Sequence, residues 1–332
     1  MKTIAIALLA IAVCTAGNCQ TSPIVSTSVN QQLYANAFPG RDLGVQINAA
    51  IAAWNSNGGA CDIRVTPGSI ATQFQLPSGC SITFTPGSYP TSVQLRAAHR
   101  NTIWNMNHAQ ILSSLDNGTS AFVVGKQSAG VVSTNGNTVT WISGTNFAQI
   151  DAGDILNING ASHNVASVSS NTVLSLLGSA GTQTGVPYEA YLSGVNGIGQ
   201  SNTVTIKDLW LLKTSGTTTP MDGLHIEGAA EVLVDNATVE GFSNVGSYAY
   251  HLIGSISGEF VALKTTSNAA CLNLSGRQFG GVRFDSNENA FIKLDCSSST
   301  GSKNKATILF ASYGAYGNNF YGLRNEGNAN SY

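Results

Sequence analysis

Two histidines raise the first chemical question. His225 and His251 stand 26 residues apart, each second in a segment that reads apolar, polar, apolar. The segments are Leu224-His225-Ile226-Glu227-Gly228 and Tyr250-His251-Leu252-Ile253-Gly254, followed by Leu272-Asn273-Leu274-Ser275-Gly276 and Ile292-Lys293-Leu294-Asp295-Cys296. Side chains alternate faces along a strand, so with Leu224 and Ile226 inward, His225 points out. Strands stacked in parallel place equivalent residues about 4.8 Å apart on one face. The overlay then builds a column of His225, His251, Asn273 and Lys293. Glu227, Ile253, Ser275 and Asp295 form the column two residues along, and Asp222 lies at the upstream edge of the same strand.

Two reactions could use these parts. Hydrolysis of a glycosidic bond needs two carboxyl groups about 5–9.5 Å apart, one of them protonated. Asp222 and Glu227 are the pair for that chemistry, with His225 positioning. Elimination beside a uronate carboxylate needs a base and cations that stabilise the enolate-like state. His251 or Lys293 is the base for that chemistry, with His225 and Arg283 neutralising the carboxylate. Asn273, Arg283 and Asp295 would contact the sugar. Outward strand positions are polar in any soluble coil, so the alternative is a non-catalytic glycan-binding or adhesin-like surface β-helix protein. No CxxC pair or Cys/His spacing suits zinc, and no metal or cofactor is expected at these residues. The one metal candidate is calcium, on oxygen ligands from Asp235, Glu240, Glu259, Asp285 and Glu288; the alternative, favoured here, is that these are solvated strand edges. His108 and His163 have no evident partners.

The elements that position these residues follow from the repeat. The four segments recur at 26, 22 and 20 residues. A second strand series trails them: Val204-Thr205-Ile206-Lys207-Asp208-Leu209, Val232-Leu233-Val234-Asp235-Asn236, Glu259-Phe260-Val261-Ala262-Leu263 and Gly281-Val282-Arg283-Phe284. Short strands at such a period, joined by irregular turns, predict coils of a parallel β-helix whose inward residues stack Ile on Leu on Val. A leucine-rich repeat would carry a fixed Leu/Asn signature, and a sandwich would place Asn-Gly turns regularly between strands. Asp208 and Asn236 fall at matching bends, where a side-chain ladder would satisfy backbone groups.

One stretch, residues 129–190, breaks the rhythm with Asn-Gly turns and alternating strands. It reads as a small antiparallel β-module inserted between coils at 41–128 and 191–332. Near the start, Leu43, Ile47, Ile51 and Trp54 form one helical stripe, opened by Asp42 and stopped by Asn55-Ser56-Asn57-Gly58-Gly59. This helix is expected to cap the open end of the coil. The fold class expected is therefore all-β: a parallel β-helix with an N-terminal capping helix and an inserted antiparallel module.

Composition bounds the partners. Of 332 residues only 10% are charged, the net charge is −2, and 36 are glycine. That balance argues against a nucleic-acid-binding surface, while 42% hydrophobic residues suffice for a core. Lys2 and the apolar run Ile4–Val13 read as a secretory signal peptide over 1–19, with an extended leader over 20–40. The run is too short to span a bilayer. The mature chain is expected to be secreted, periplasmic or on the cell surface. Export permits disulfides, and Cys61 and Cys80 flank a short Pro/Gly/Ser-rich excursion that a bridge would close. Cys271 and Cys296 are left without an assigned pairing. Tyr313, Tyr316, Phe320 and Tyr321 are expected to fill the coil end, with stacking on sugars as the alternative. The open coil edge reads as a docking surface, as a face capped by another subunit in a homo-oligomer, or as the break of a fragment.

Gln46-Ile47-Asn48-Ala49-Ala50-Ile51, Gly58-Gly59-Ala60-Cys61-Asp62-Ile63-Arg64 and Phe84-Thr85-Pro86-Gly87-Ser88-Tyr89 together resemble the opening of the bacterial pectate-lyase-like superfamily. Val139-Thr140-Trp141-Ile142-Ser143-Gly144 and Ser179-Ala180-Gly181-Thr182-Gln183-Thr184-Gly185 resemble a small β-module of such exported proteins. The resemblance implies a right-handed parallel β-helix and an acidic, pectin-like polysaccharide as substrate or ligand. The superfamily holds lyases, hydrolases, epimerases, phage tailspikes and inactive surface proteins, so it does not choose an activity. The polygalacturonase motifs Asp-Asp, Gly-His-Gly and Arg-Ile-Lys do not occur; Met221-Asp222-Gly223 matches only the Asp-Gly part of one motif.

Overall fold

The computed structural model describes residues 32–57, 60–125, 128–192, 204–214, 219–279, 282–296, 308–310 and 314–325. The expected signal peptide lies outside the described residues. Part of the expected leader is folded: Leu33–Tyr34 pairs in parallel with Asp62–Val65, because Leu33 and Ala35 are buried in the core.

Two parallel sheets carry most of the chain. The long sheet runs in the order Leu33–Tyr34, Asp62–Val65, Ser81–Phe84, Thr102–Asn105, Val204–Lys213, Val232–Glu240, Glu259–Thr266, Ala290–Ile292 and Asn319–Tyr321. The second sheet, which bears the histidines, runs Leu95–Ala97, Phe122–Gly125, Leu224–Glu227, Tyr248–Ile253, Ala270–Ser275 and Ile308–Phe310. From Val204 onward the chain visits the two sheets alternately, and each strand pairs in parallel with the strand one coil away. This is the winding of a parallel β-helix. Leu224, Ile226, Tyr250, Leu252, Leu272 and Leu274 are buried between the sheets. Phe260, Phe291 and Phe320 stack face to face at 4.9 and 4.8 Å in successive coils.

The long sheet bends at one aligned position. Asp208, Asn236, Ala262, Lys293 and Gly322 all have positive φ, between 52° and 76°. The flanking register places them on successive rungs. Asn and Asp tolerate this left-handed conformation better than most residues. The expected ladder is present, since Asn236 Nδ2 donates to Asp208 Oδ1 at 2.6 Å.

The inserted module is a closed antiparallel barrel of six strands between Ala129 and Tyr191. It has its own core, including Val132, Val139, Phe147, Leu156 and Tyr188. His99 Nδ1, on the coil, meets Asp151 of the barrel at 3.0 Å, and Arg100 Nη1 donates to Ala152 O at 2.9 Å. The helix Leu43–Asn57 buries Leu43, Ile47, Ala50 and Ile51 in the coil core. Asp42 Oδ1 accepts from Gly44 N at 2.8 Å at its start, and Asp42 Oδ2 accepts from Thr72 Oγ1 at 2.9 Å. Burial works against the Asp42 charge, but these bonds outweigh it and lower its pKa. Cys61–Cys80 is bridged, and so is Cys271–Cys296, the pair the sequence left open. Among the described residues no helix is long and apolar enough to cross a membrane. The coil end expected to self-associate exposes Phe310, Tyr316 and Tyr321.

Candidate functional site

The register of the second sheet fixes the site. His225 is the lateral neighbour of His251, and His251 of Asn273. Asp222 sits just before Leu224–Glu227, in a turn held by backbone bonds. Gly223 N donates to Tyr248 O at 2.9 Å, and Ala121 N donates to Asp222 O at 3.0 Å. Gly223 is required by close approach: a Cβ there would lie 2.4 Å from Val239 Cγ1 and 2.8 Å from Ala249 O.

The Asp222 carboxylate is the hub. Its Oδ2 faces Nδ1 of His251 at 2.7 Å and Nδ1 of His225 at 3.3 Å. Its Oδ1 accepts from Tyr248 N at 2.9 Å. The two imidazole rings meet edge to face at 4.8 Å, and the Tyr248 ring lies 5.1 Å from that of His251. On the far side of each ring stands another polar group: Glu227 Oε2 is 3.4 Å from His225 Nε2, and Asn273 Nδ2 is 2.9 Å from His251 Nε2. The site is recessed, with the side chains of Asp222, His225, Glu227 and His251 only 11–17% exposed.

Burial alone would raise the pKa of Asp222, but the bonds and charges of the two histidines hold it down at about 2. Burial alone would lower that of His225, but hydrogen bonding and charge from Asp222 and Glu227 raise it to about 9. Tyr248 is pushed up by burial and by the Asp222 charge, so its phenol stays protonated. Asp222 and His225 line one wall of an open cleft of about 580 Å³, which continues past Gln94, Arg96, Asn117 and Thr119.

Five of the sequence-derived candidates therefore come together: Asp222, His225, Glu227, His251 and Asn273. Lys293 and Asp295 do not. The strand after Ala270–Ser275 in this sheet is Ile308–Phe310, and Leu309 is the neighbour of Asn273. Lys293 is instead an exposed bend residue of the long sheet, and Asp295 bridges Lys264 and Arg324 there. The overlay failed because a hairpin, Arg277–Phe279 with Val282–Phe284, intervenes after the third segment. The apolar-polar-apolar pattern of Ile292–Leu294 belongs to the other sheet. The backbone of Arg283 pairs with Gln278 in that hairpin, outside the sheet of the histidines.

The sequence reading also missed Arg96, Tyr248 and the cleft residues. Arg96 occupies the same column as His225, two rungs away across Val123. Leu95-Arg96-Ala97 has the right alternation, but the inserted barrel separates it from Leu224 and hides the period. Burial lowers the pKa of Arg96 while the Glu227 charge opposes this. As for calcium, Asp235, Glu240, Glu259, Asp285 and Glu288 do not gather into a group of three. Among the described residues the one such group is Asp222, His225 and His251.

No family model matches the chain, and no curated protein does. Similar solved structures include ORF18 of Geobacillus virus E2, at 12% identity and TM-score 0.35, covering 88% of this chain and 41% of that one. The mannuronan C-5 epimerase AlgE6 A-module of Azotobacter vinelandii is similar at 10% identity and TM-score 0.24, over 88% of this chain and 99% of that one. The Gp54 tailspike of Acinetobacter baumannii bacteriophage AP22, solved in complex with A. baumannii capsular saccharide, is similar at 12% identity and TM-score 0.23, over 89% and 58%. The chain thus spans less than half the length of the viral ORF18 chain. Similarity at this level carries no functional argument.

Proposed function

We propose that the chain is an exported right-handed β-helix, capped by the helix Leu43–Asn57, that cleaves an acidic polysaccharide by elimination at the Asp222–His225–His251 cluster. The observation that carries this reading is the single carboxylate shared between two imidazole Nδ1 atoms at the wall of a cleft. Hydrolysis by Asp222 and Glu227 fits less well. It requires one protonated carboxyl group, whereas Asp222 is held ionised with a pKa near 2 and Glu227 is paired with His225.

Elimination uses what is present. Asp222 accepts the Nδ1 proton of His251, which leaves the Nε2 lone pair as the base. That nitrogen takes the proton beside the uronate carboxylate, the bond to the leaving glycosidic oxygen breaks, and a double bond forms in the sugar. His225, charged below its pKa of about 9, neutralises the carboxylate as negative charge develops. Tyr248, kept protonated by burial and by Asp222, supplies the proton to the leaving oxygen. Substrate must first displace Asn273 Nδ2 from His251 Nε2.

One observation favours a second reading. Both outer nitrogens already face protein groups, Glu227 and Asn273, as in a cluster that shapes a glycan-binding surface without chemistry. A depolymerisation screen of the purified mature chain separates the readings. Acidic and neutral polysaccharides would be followed by ultraviolet absorbance of unsaturated products and by release of reducing ends. Both signals rising, and both lost in His251→Gln, supports elimination. Reducing ends alone would restore Asp222 and Glu227 as a hydrolytic pair. Silence with one glycan still bound would leave the binding reading.

A further inference from the structure

We propose that Asp222, His225 and His251 form a site for a divalent first-row transition-metal ion, of which zinc and cobalt are the natural probes. Asp222, His225 and His251 each offer one potential ligand atom, and these atoms all lie within 4.8 Å of one another. The two measured edges to Oδ2 are 3.3 and 2.7 Å. Metal–ligand bonds of about 2.0–2.2 Å in a tetrahedral site set ligand–ligand edges of about 3.3 Å. The two edges to Oδ2 lie at and below that value.

The surroundings already have the form of an outer shell. Metal-bound histidines normally donate their other ring N–H to a carboxylate or carbonyl, and ligating carboxylates are themselves hydrogen-bonded. Here His225 Nε2 faces Glu227 Oε2 at 3.4 Å, His251 Nε2 faces the Asn273 amide at 2.9 Å, and Asp222 Oδ1 accepts from Tyr248 N at 2.9 Å. All three ligands have a partner behind them.

Two polar atoms of the cluster point the same way. His225 Nε2 and Asn273 Oδ1 are buried; the first has only a long 3.4 Å approach to Glu227 Oε2, and the second makes no hydrogen bond. A metal ion bound at both Nδ1 atoms places a proton on each Nε2. On His225 that proton stays aimed at Glu227 Oε2, 3.4 Å away. A half-turn of the Asn273 amide, whose oxygen and nitrogen are distinguished only by their hydrogen bonds, presents Oδ1 to the N–H of His251. One ion is thus compatible with an acceptor behind each ring, and it gives Asn273 Oδ1 a partner. Two imidazoles with one carboxylate suit zinc, cobalt, nickel or iron(II), and not calcium, which takes oxygen ligands. Three protein ligands leave at least one coordination position open; Asp222 and His225 line the cleft.

This inference concerns the same cluster as the proposed elimination but does not depend on it. The two states exclude one another, because an imidazole bound through Nδ1 and protonated on Nε2 is no base. The test is metal binding without polysaccharide. Chelator-treated mature chain is titrated with Co²⁺ and followed by visible absorption, then by Zn²⁺ displacement. The expected result is one saturating Co²⁺ per chain, displaced by Zn²⁺ and not by Ca²⁺. Binding should weaken at least tenfold in His251→Gln and in His225→Gln and stay unchanged in His163→Gln, with circular dichroism confirming that each variant folds. Absence of a saturable band in the wild-type chain would overturn the proposal, as would a band unaffected by both cluster substitutions. No metal binding, with depolymerising activity intact, would sink this inference alone; metal binding with no activity in the chelator-treated chain would sink only the elimination.

Discussion

Asp222→Asn, in chelator-treated protein, tests the electrostatics of the cluster directly. In the native chain the pKa of Asp222 falls from 3.8 to about 2, and that of His225 rises from 6.5 to about 9. At 1.36 kcal/mol per unit, these shifts correspond to about 2 and about 3 kcal/mol of folding free energy. They share the Asp222–His225 contact and are not summed. The Asp222 contribution is present above pH 3.8 and is lost as pH falls through about 2. The His225 contribution is complete below pH 6.5 and is lost as pH rises through about 9. Wild-type stability should therefore form a plateau between these limits and fall by up to about 3 kcal/mol on the alkaline side. Asp222→Asn should lower the plateau by about 2–3 kcal/mol. It should also flatten the alkaline fall to roughly half, since Glu227 still faces His225. Urea denaturation of both proteins from pH 5 to about 9.5 reads this out. Parallel curves between pH 6.5 and 9, or equal stability at pH 6, would refute the shared-carboxylate account.

Other perturbations act through packing and covalent links. Gly223→Ala should cost about 1–3 kcal/mol by overpacking and displace Asp222, because the new Cβ meets the Ala249 backbone oxygen; thermal melting and product absorbance should fall together. Removing the Cys61–Cys80 bridge, which spans 19 residues, should cost about 3 kcal/mol on chain-entropy grounds, read as a lower denaturation midpoint of the double alanine variant. Phe291→Ala empties the middle of the Phe260–Phe291–Phe320 stack and should cost about 3–5 kcal/mol. Hydrogen exchange should rise in the C-terminal coils and not in the barrel, because a coil passes strain chiefly to its neighbours.

The parts of this molecule that were legible in its sequence are those governed by local alternation. Leu224-His225-Ile226 and Tyr250-His251-Leu252 announced a shared register because inward residues must be apolar, and the structure pairs them residue for residue. The bend at Asp208 and Asn236 was legible for a similar reason, as side chains that tolerate positive φ fall at matching places. What alternation cannot encode is which sheet a strand joins. Ile292-Lys293-Leu294 alternates as well as Leu272-Asn273-Leu274 does, and only the intervening hairpin sends it to the long sheet. Arg96 was lost in the same way, behind a barrel that interrupts the period. The two-histidine, one-carboxylate group escaped linear motif reading because its ligands stand 3 and 26 residues apart. One spacing is a turn and the other a full coil, and neither is a metal signature in sequence.

Asn273 separates the two states of the cluster by a single atom. With Nδ2 toward His251 Nε2, as at 2.9 Å here, the amide donates to a lone pair, and that lone pair is the base of the proposed elimination. With Oδ1 turned inward, the amide accepts from an N–H, as a metal-bound imidazole requires. Asn273→Asp has nearly the same shape but offers only acceptors. It therefore enforces the protonated Nε2. Elimination should drop by at least 10²-fold, the usual contribution of a positioned general base. Co²⁺ affinity should hold or tighten in the same protein, since a carboxylate behind the ring makes the ligand more basic. Activity surviving in Asn273→Asp would show that His251 Nε2 is not the base. Metal affinity collapsing in a folded Asn273→Asp chain would show that the amide does not stand behind a metal ligand.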